Sequence, residues 1–245
     1  MTRIKFGIFL FFPIPVYMEE YLKNLYVKDG LLEKFERDWN YLTESRRMID
    51  DLWYSNLKQI SEVKLIILSE SPMWGTEQKF FYNPKSVPSG FFNYKHLSYA
   101  CDQTVNRKED LILAFKALGV VFLDCSPYPL NPRYTSLCYR SKTWIDSKQI
   151  SDSEYLGLLK STYSEHLLPR LEKLKSHSIG KDPSKVRFCY RYKKVKKILG
   201  NELILRFKEV GFQLNESDVV LSIEAQNSHG NIDNDKLRKM FQFLL

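Results

Sequence analysis

Short apolar runs that end in polar, proline-containing loops set the pattern of this chain. One is Val63-Lys64-Leu65-Ile66-Ile67-Leu68, followed by Ser69-Glu70-Ser71-Pro72. Another is Gly119-Val120-Val121-Phe122-Leu123, followed by Asp124-Cys125-Ser126-Pro127. Short runs rich in β-branched residues, with little polar alternation, predict strands covered on both faces, as in a parallel sheet. Further runs at 186–190 and 218–223 bring the predicted strands to four, with 63–69 and 119–124. Between them the apolar spacing is helical. Leu31, Leu32, Phe35 and Trp39 share one face within residues 17–60, and Met48, Leu52 and Leu57 share another in a second helix over 43–60. A helix over 108–118 stops at Gly119, and Ser151 with Glu154 makes a capping box for one long helix to about 176. Helices over 194–210 and 234–244 close the pattern. Strands alternating with helices predict an α/β fold: a three-layer α/β/α arrangement around a central four-stranded parallel sheet. No Gly-, Ser- or charge-rich boundary interrupts residues 1–245, so a single domain is expected, with 1–60 as an N-terminal segment and helices packed on the core.

In open α/β sheets ligands bind beyond the carboxyl ends of the strands. Glu70 and Asp124 stand there. Two long irregular stretches, 70–106 and 125–150, follow the first two strands. Loops of this length inside a compact domain are usually functional. They carry Phe80-Phe81-Tyr82 and the cations Lys79, Lys85, Arg133, Arg140 and Lys142.

Charge adds a partner class. The 37 Lys and Arg against 29 Asp and Glu give a net charge of +8, which favours a polyanion such as nucleic acid. The basic run Arg191-Tyr192-Lys193-Lys194-Val195-Lys196-Lys197 offers phosphate contacts, or simply a solvated helix face. Cys101, Cys125, Cys138 and Cys189 form no C-x-x-C pair, so no zinc or iron–sulfur site is expected and reduced thiols fit a cytoplasmic protein. The apolar stretch 6–12 is interrupted by Pro13 and Pro15, lacks a small-residue cleavage site and is too short to span a bilayer. It reads as a structural segment. No phosphate-binding glycine loop, dinucleotide fingerprint, nucleophile elbow or H-E-x-x-H motif occurs, and His96, His166, His177 and His229 show no metal-ligand spacing. No cofactor and no metal are expected.

The order of these pieces resembles the uracil-DNA glycosylase superfamily, as a distant or unassigned branch. Glu70-Ser71-Pro72 resembles that family's first loop, Phe81 (with Phe80 as runner-up) its base-stacking residue, Asp124 its base-reading residue and Ser228-His229 its last loop. Ser69 stands where the family usually has Gly, Ser71 where its best-known branch has Asp, and Gly230 follows His229 in place of Pro-Ser. The resemblance implies a monofunctional DNA glycosylase that hydrolyses the N-glycosidic bond of a flipped base, in repair or anti-phage defence. It implies DNA as partner, no membrane, and a monomer.

Residue chemistry bears on the same reading. Breaking an N-glycosidic bond builds positive charge on the sugar, which a carboxylate stabilises while orienting water; Glu70 is assigned that role, with Asp124 and His229 as further catalytic candidates. Ser71, Phe80, Phe81 and Tyr82 are candidates to hold the base with Asp124, since an extruded base needs a platform. An ionised Asp only accepts hydrogen bonds. Asp124 therefore suits the exocyclic amine of cytosine or a cytosine derivative better than O4 of uracil. Lys79, Lys85, Ser126, Arg133, Lys193, Lys194, Ser228 and Asn231 are candidates for DNA contacts. The plainer readings are core packing for the three aromatics, ion pairing for Glu70 and loop capping for Asp124. The competing functions are a non-catalytic nucleic-acid-binding protein with the same fold and an α/β hydrolase acting on a small molecule.

Overall fold

A computed structural model describes residues 16–245 apart from 74, 76–77, 87–91, 93, 102–103, 141–146, 214–221, 227–230, 243 and 245. Helices α1 (Val16–Lys28) and α2 (Phe35–Leu57) precede strand β1 (Leu65–Ser69). Helices α3 (Tyr94–Cys101) and α4 (Lys108–Ala117) lead to β2 (Val120–Asp124). Two-residue strands β3 (Leu137–Cys138) and β4 (Lys148–Gln149) come before α5 (Asp152–Thr162) and α6 (Leu167–Ser176). Strand β5 (Arg187–Tyr190), α7 (Lys193–Val210) and α8 (Asn234–Phe241) follow.

The fold is mixed α/β. Its central sheet is parallel, in the order β2-β1-β5, and β3 pairs with β4 in a separate two-stranded sheet. Every residue of β1 and β2 is buried, as their unbroken apolar runs require. The central sheet among the described residues therefore has three strands, where the apolar runs predict four. Residues 218–221 of the predicted fourth strand lie outside the described residues. Ser222 makes an isolated parallel bridge to Tyr190, and the Ile223 N–H donates to Tyr190 O at 3.0 Å.

Register fixes which residues face which way. Ile66, Val121 and Phe188 align on one face, and Ile67, Phe122 and Cys189 on the other, because successive side chains alternate. Phe188 meets Phe207 of α7 with ring centroids 5.0 Å apart; Phe122 meets Phe115 of α4 at 5.4 Å. Helices thus cover both faces. On the long α2, Trp53 donates its indole N–H to Phe122 O at 2.8 Å, and buried Asp38 accepts from Tyr26 of α1 and from the Ser136 N–H at 2.6 Å. These bonds hold the loop after β2 in place.

Three elements depart from the apolar pattern. Helix α2 runs unbroken through the point where two helices are predicted, and the break falls instead at Gly30, whose φ is +68°. The long helix predicted over 151–176 splits into α5 and α6. Pro169 explains the split: it lacks an N–H and its ring crowds the carbonyl four residues back, so a helix can start but not continue there. The capping box at Ser151 and Glu154 forms. The 70–106 loop contains α3, which buries Leu97, Ala100 and Cys101 along one side and packs on α8. All four cysteines are buried and none is in a disulfide. Among the described residues no helix is long and apolar enough to cross a membrane.

Candidate functional site

The parallel register sets Ser69 directly beside Asp124 at the carboxyl edge of the sheet, and Glu70 is the next residue of the chain. The two carboxylates leave this edge toward different walls. Glu70 looks toward α5 and α7. Its backbone oxygen accepts from the Tyr155 hydroxyl at 2.9 Å, and its carboxylate lies 3.8 Å from both Arg140 and Lys194. Asp124 is buried on the Phe122 side and accepts a hydrogen bond from the Ser69 hydroxyl.

Beside Glu70 opens a cavity of about 370 Å³, walled by the 70–79 and 129–140 segments, with Lys79, Asn131, Arg133, Tyr134 and Arg140 among its lining. The two segments approach closely at Gly75. Its φ of +138° suits glycine, and a Cβ there would come within 2.9 Å of the Tyr134 ring. The Asp124 side holds only a cleft of about 10 Å³, lined by Ser69, Lys79, Phe80, Phe81 and Phe122. That is space for about one water. Cleft and cavity share Ser71, Pro72, Met73 and Lys79 as walls, so they adjoin.

Burial raises the pKa of Glu70 above the usual carboxylate range, against the pull of Arg140 and Lys194 and with a smaller push from Glu224. Burial prevails because neither cation reaches hydrogen-bond distance and Oε1 accepts no hydrogen bond. Arg140 lies over the Tyr192 ring at 4.9 Å, and the buried Arg191 lies over the same ring at 4.6 Å. For Asp124, burial moves the pKa up to about 6, opposed by the Ser69 hydrogen bond and by Arg170.

A buried chain supports Asp124 from behind. Arg170 Nη1 lies 2.6 Å from His166 Nδ1 and donates to His166 O at 2.8 Å, while Nη2 donates to Asp50. A guanidinium only donates, so Nδ1 accepts. The His166 proton therefore sits on Nε2, which donates to Asp124 O at 2.8 Å. Burial, with Arg170 and Arg46, drives the His166 pKa well below its ordinary value, so the ring is neutral.

The predicted site residues fall into distinct groups. Glu70, Ser71, Lys79 and Arg133 line the large cavity, and Asp124, Phe80 and Phe81 line the cleft. Lys194 faces Glu70, whereas Lys193 Nζ donates to Ala225 O and Gln226 O and ties α7 to the segment that follows Ser222. Lys85 and Asn231 are exposed. Ser228, His229 and Lys142 lie outside the described residues.

Two expectations are corrected by burial. Tyr82 is a core residue: it is 1% exposed and its hydroxyl accepts the Phe122 N–H at 3.0 Å, leaving no face for a base. Ser126 is fully buried, with the Tyr139 hydroxyl 2.5 Å from its Oγ, so it does not reach DNA. Phe81 is also largely in the core, its ring tilted against Phe122 at 4.1 Å and edge-to-face with Phe115 at 5.1 Å. The buried Lys108 of α4 holds this segment down by donating to Phe80 O at 3.2 Å and to Ser86 Oγ at 2.5 Å. Sequence reasoning gave no site role to Tyr139, Tyr155, His166 or Arg170. Only the Arg170–His166 pair, one helical turn apart, left a trace in the spacing.

The chain matches no family model, no curated protein and no solved structure. The functional reading rests on its own residues.

Proposed function

We propose that the chain is a monofunctional DNA glycosylase, hydrolysing the N-glycosidic bond of a modified or deaminated base. The observation that carries the reading is Glu70. It is a largely buried carboxylate with a buried oxygen, Oε1, that accepts no hydrogen bond, at the wall of a cation-lined cavity of about 370 Å³ on the carboxyl edge of a parallel sheet. Cavities of this order, roughly 300–1,000 Å³, are those that accept small ligands.

In this reading the extruded nucleotide enters the cavity with its phosphate beside Lys79, Arg133 and Arg140. As the base departs with the bonding electron pair, positive charge grows on the sugar. The ionised Glu70 stabilises that charge, directs a water to the anomeric carbon and takes up the water's proton. Asp124 accepts from an exocyclic amine, which favours a cytosine derivative. Admitting the base edge to the narrow Asp124 cleft requires Ser71, Pro72, Met73 and Lys79 to move outward. The parallel bridge between Ser222 and Tyr190 is the point at which a fourth strand would join β5.

The test is incubation with DNA duplexes and single strands carrying uracil, mismatches or modified cytosines, followed by cleavage at abasic sites. Release of one base class is expected. Tight DNA binding with no base released from any substrate would leave the chain a binding protein and overturn the reading.

A further inference from the structure

Ser69 occupies a position that the chemistry of the cleft makes decisive. Its hydroxyl has one proton and two acceptors in reach, Asp124 Oδ1 and the Leu123 carbonyl oxygen at 3.5 Å. The carboxylate is the closer and the charged acceptor, and hydrogen bonds to ionised groups are roughly twice as strong as neutral ones. Asp124 therefore accepts at Oδ1 from inside the protein, and both residues line the narrow cleft.

We infer that Ser69 determines the ligand specificity of the cleft, by holding Asp124 in the form that accepts hydrogen bonds from a ligand N–H. This rests on the reading that Asp124 meets the ligand edge. A glycine or alanine at 69 would leave a desolvated carboxylate with no hydroxyl donor. Such a group takes up a proton and becomes an O–H donor. It would then match a carbonyl oxygen, as on uracil, instead of an amine, as on cytosine. Ser69 thus distinguishes an amine-bearing from a carbonyl-bearing base edge without touching either.

The other groups around Asp124 leave this control with Ser69. Lys79 lines the opposite wall of the cleft. From α6, Arg170 also favours the ionised form of Asp124, but less than Ser69 does and without a hydrogen bond to the carboxylate, since the neutral His166 gives its proton to the Asp124 backbone. Cys125, Tyr82, Tyr139 and Tyr155 are all pushed by burial to hold their protons, so none adds a charge. Glu70 is the neighbouring carboxylate and turns to the other wall. The balance also agrees with Asp124 itself, whose pKa burial raises to about 6 while the Ser69 hydrogen bond opposes that rise.

The experiment compares the full-length wild type with Ser69→Ala and Ser69→Thr. The first readout is the Asp124 carboxyl titration by carbon NMR, assigned with Asp124→Asn. The second is chemical-shift perturbation by free cytosine and free uracil, which needs no turnover. Ser69→Ala is expected to raise the midpoint by one pH unit or more and to reverse a cytosine preference into a uracil preference at neutral pH. Raising the pH above the new midpoint should restore cytosine, and Ser69→Thr, which keeps the hydroxyl, should behave as wild type. An unchanged midpoint overturns the inference, as does a moved midpoint with an unchanged preference or with neither base bound. If the preference switches while no DNA substrate releases a base, Ser69 has the inferred role and the glycosylase reading fails by itself.

Discussion

Glu70 and Asp124 leave adjacent strands at nearly the same height, yet their surroundings are opposites. Glu70 borders a wide cavity and is approached by Arg140 and Lys194 at 3.8 Å without a hydrogen bond. Asp124 borders a slot for about one water, backed by phenylalanines, with its carboxylate on Ser69 and its backbone on His166. Burial raises both pKa values. A carboxylate with an oxygen that accepts no hydrogen bond, beside a large cavity, is suited to handling water and charge. A carboxylate held by a neighbouring hydroxyl beside a narrow slot is suited to reading shape and hydrogen-bond pattern. The difference teaches that one sheet edge turns consecutive residues, Ser69 at the end of β1 and Glu70 just after it, to opposite walls, which in the proposed reading separates chemistry from recognition.

The largest expected effect is on the wall of the Asp124 slot. Phe81→Ala should cost about 3–5 kcal/mol of stability in urea unfolding, the usual range for emptying a packed phenylalanine site. A stable variant whose base engagement weakens by about 1–3 kcal/mol would instead make Phe81 a stacking platform. Next is the support behind the slot. Arg170→Met removes the hydrogen-bonding partner of Asp50 and the donor to His166, and should destabilise by about 3 kcal/mol, the lower end for a broken buried pair, because Asp50 retains 28% exposure and Arg46 at 3.6 Å. Replacing Asp50 by Asn in the same variant should recover part of that loss.

A smaller effect of opposite sign belongs to Asp124 itself. Its native pKa, about 6, lies above the ordinary 3.8, so between those values the folded state binds the proton more tightly than the unfolded one. Stability therefore falls as pH rises through that window and is fully recovered only below it. Asp124→Asn, which still accepts from Ser69, should gain about 2–3 kcal/mol near pH 7 and nothing near pH 4. Thermal unfolding at the two pH values measures the difference; an equal change at both would place the carboxylate outside the folding balance. The smallest effect is expected on the Glu70 side. Arg140 is 44% exposed and well screened, so Arg140→Gln should raise the acid limb of the pH–rate profile by less than about one pH unit. A shift of several units would make Arg140 the dominant control of Glu70.

The sequence pattern revealed the strand ends better than their surroundings. Strands β1 and β2 were legible because an unbroken apolar run has few other uses, and the register then sets Ser69 beside Asp124. The Phe80-Phe81-Tyr82 segment was misleading because a proline-flanked polar stretch suggests solvent. Its burial depends on Lys108, far along the chain, and on the Phe122 face of the sheet. Arg140 and Lys194 converge on Glu70 from separate loops and helices, and no local spacing encodes that meeting. His166 showed only its one-turn spacing from Arg170, because its role is set by that guanidinium and a backbone oxygen rather than by a motif.

The division between the two walls is tested most directly by measuring base release from matched DNAs carrying uracil or a modified cytosine, with wild type, Glu70→Gln and Asp124→Asn in parallel. Glu70→Gln should lower the rate on every substrate by about 10²–10⁴, the usual contribution of a general base, and leave the preference between bases unchanged. Asp124→Asn should retain turnover and move the preference toward uracil. Full activity in Glu70→Gln, or an Asp124→Asn variant that is inactive on every base, would contradict the assignment of chemistry to one wall and recognition to the other.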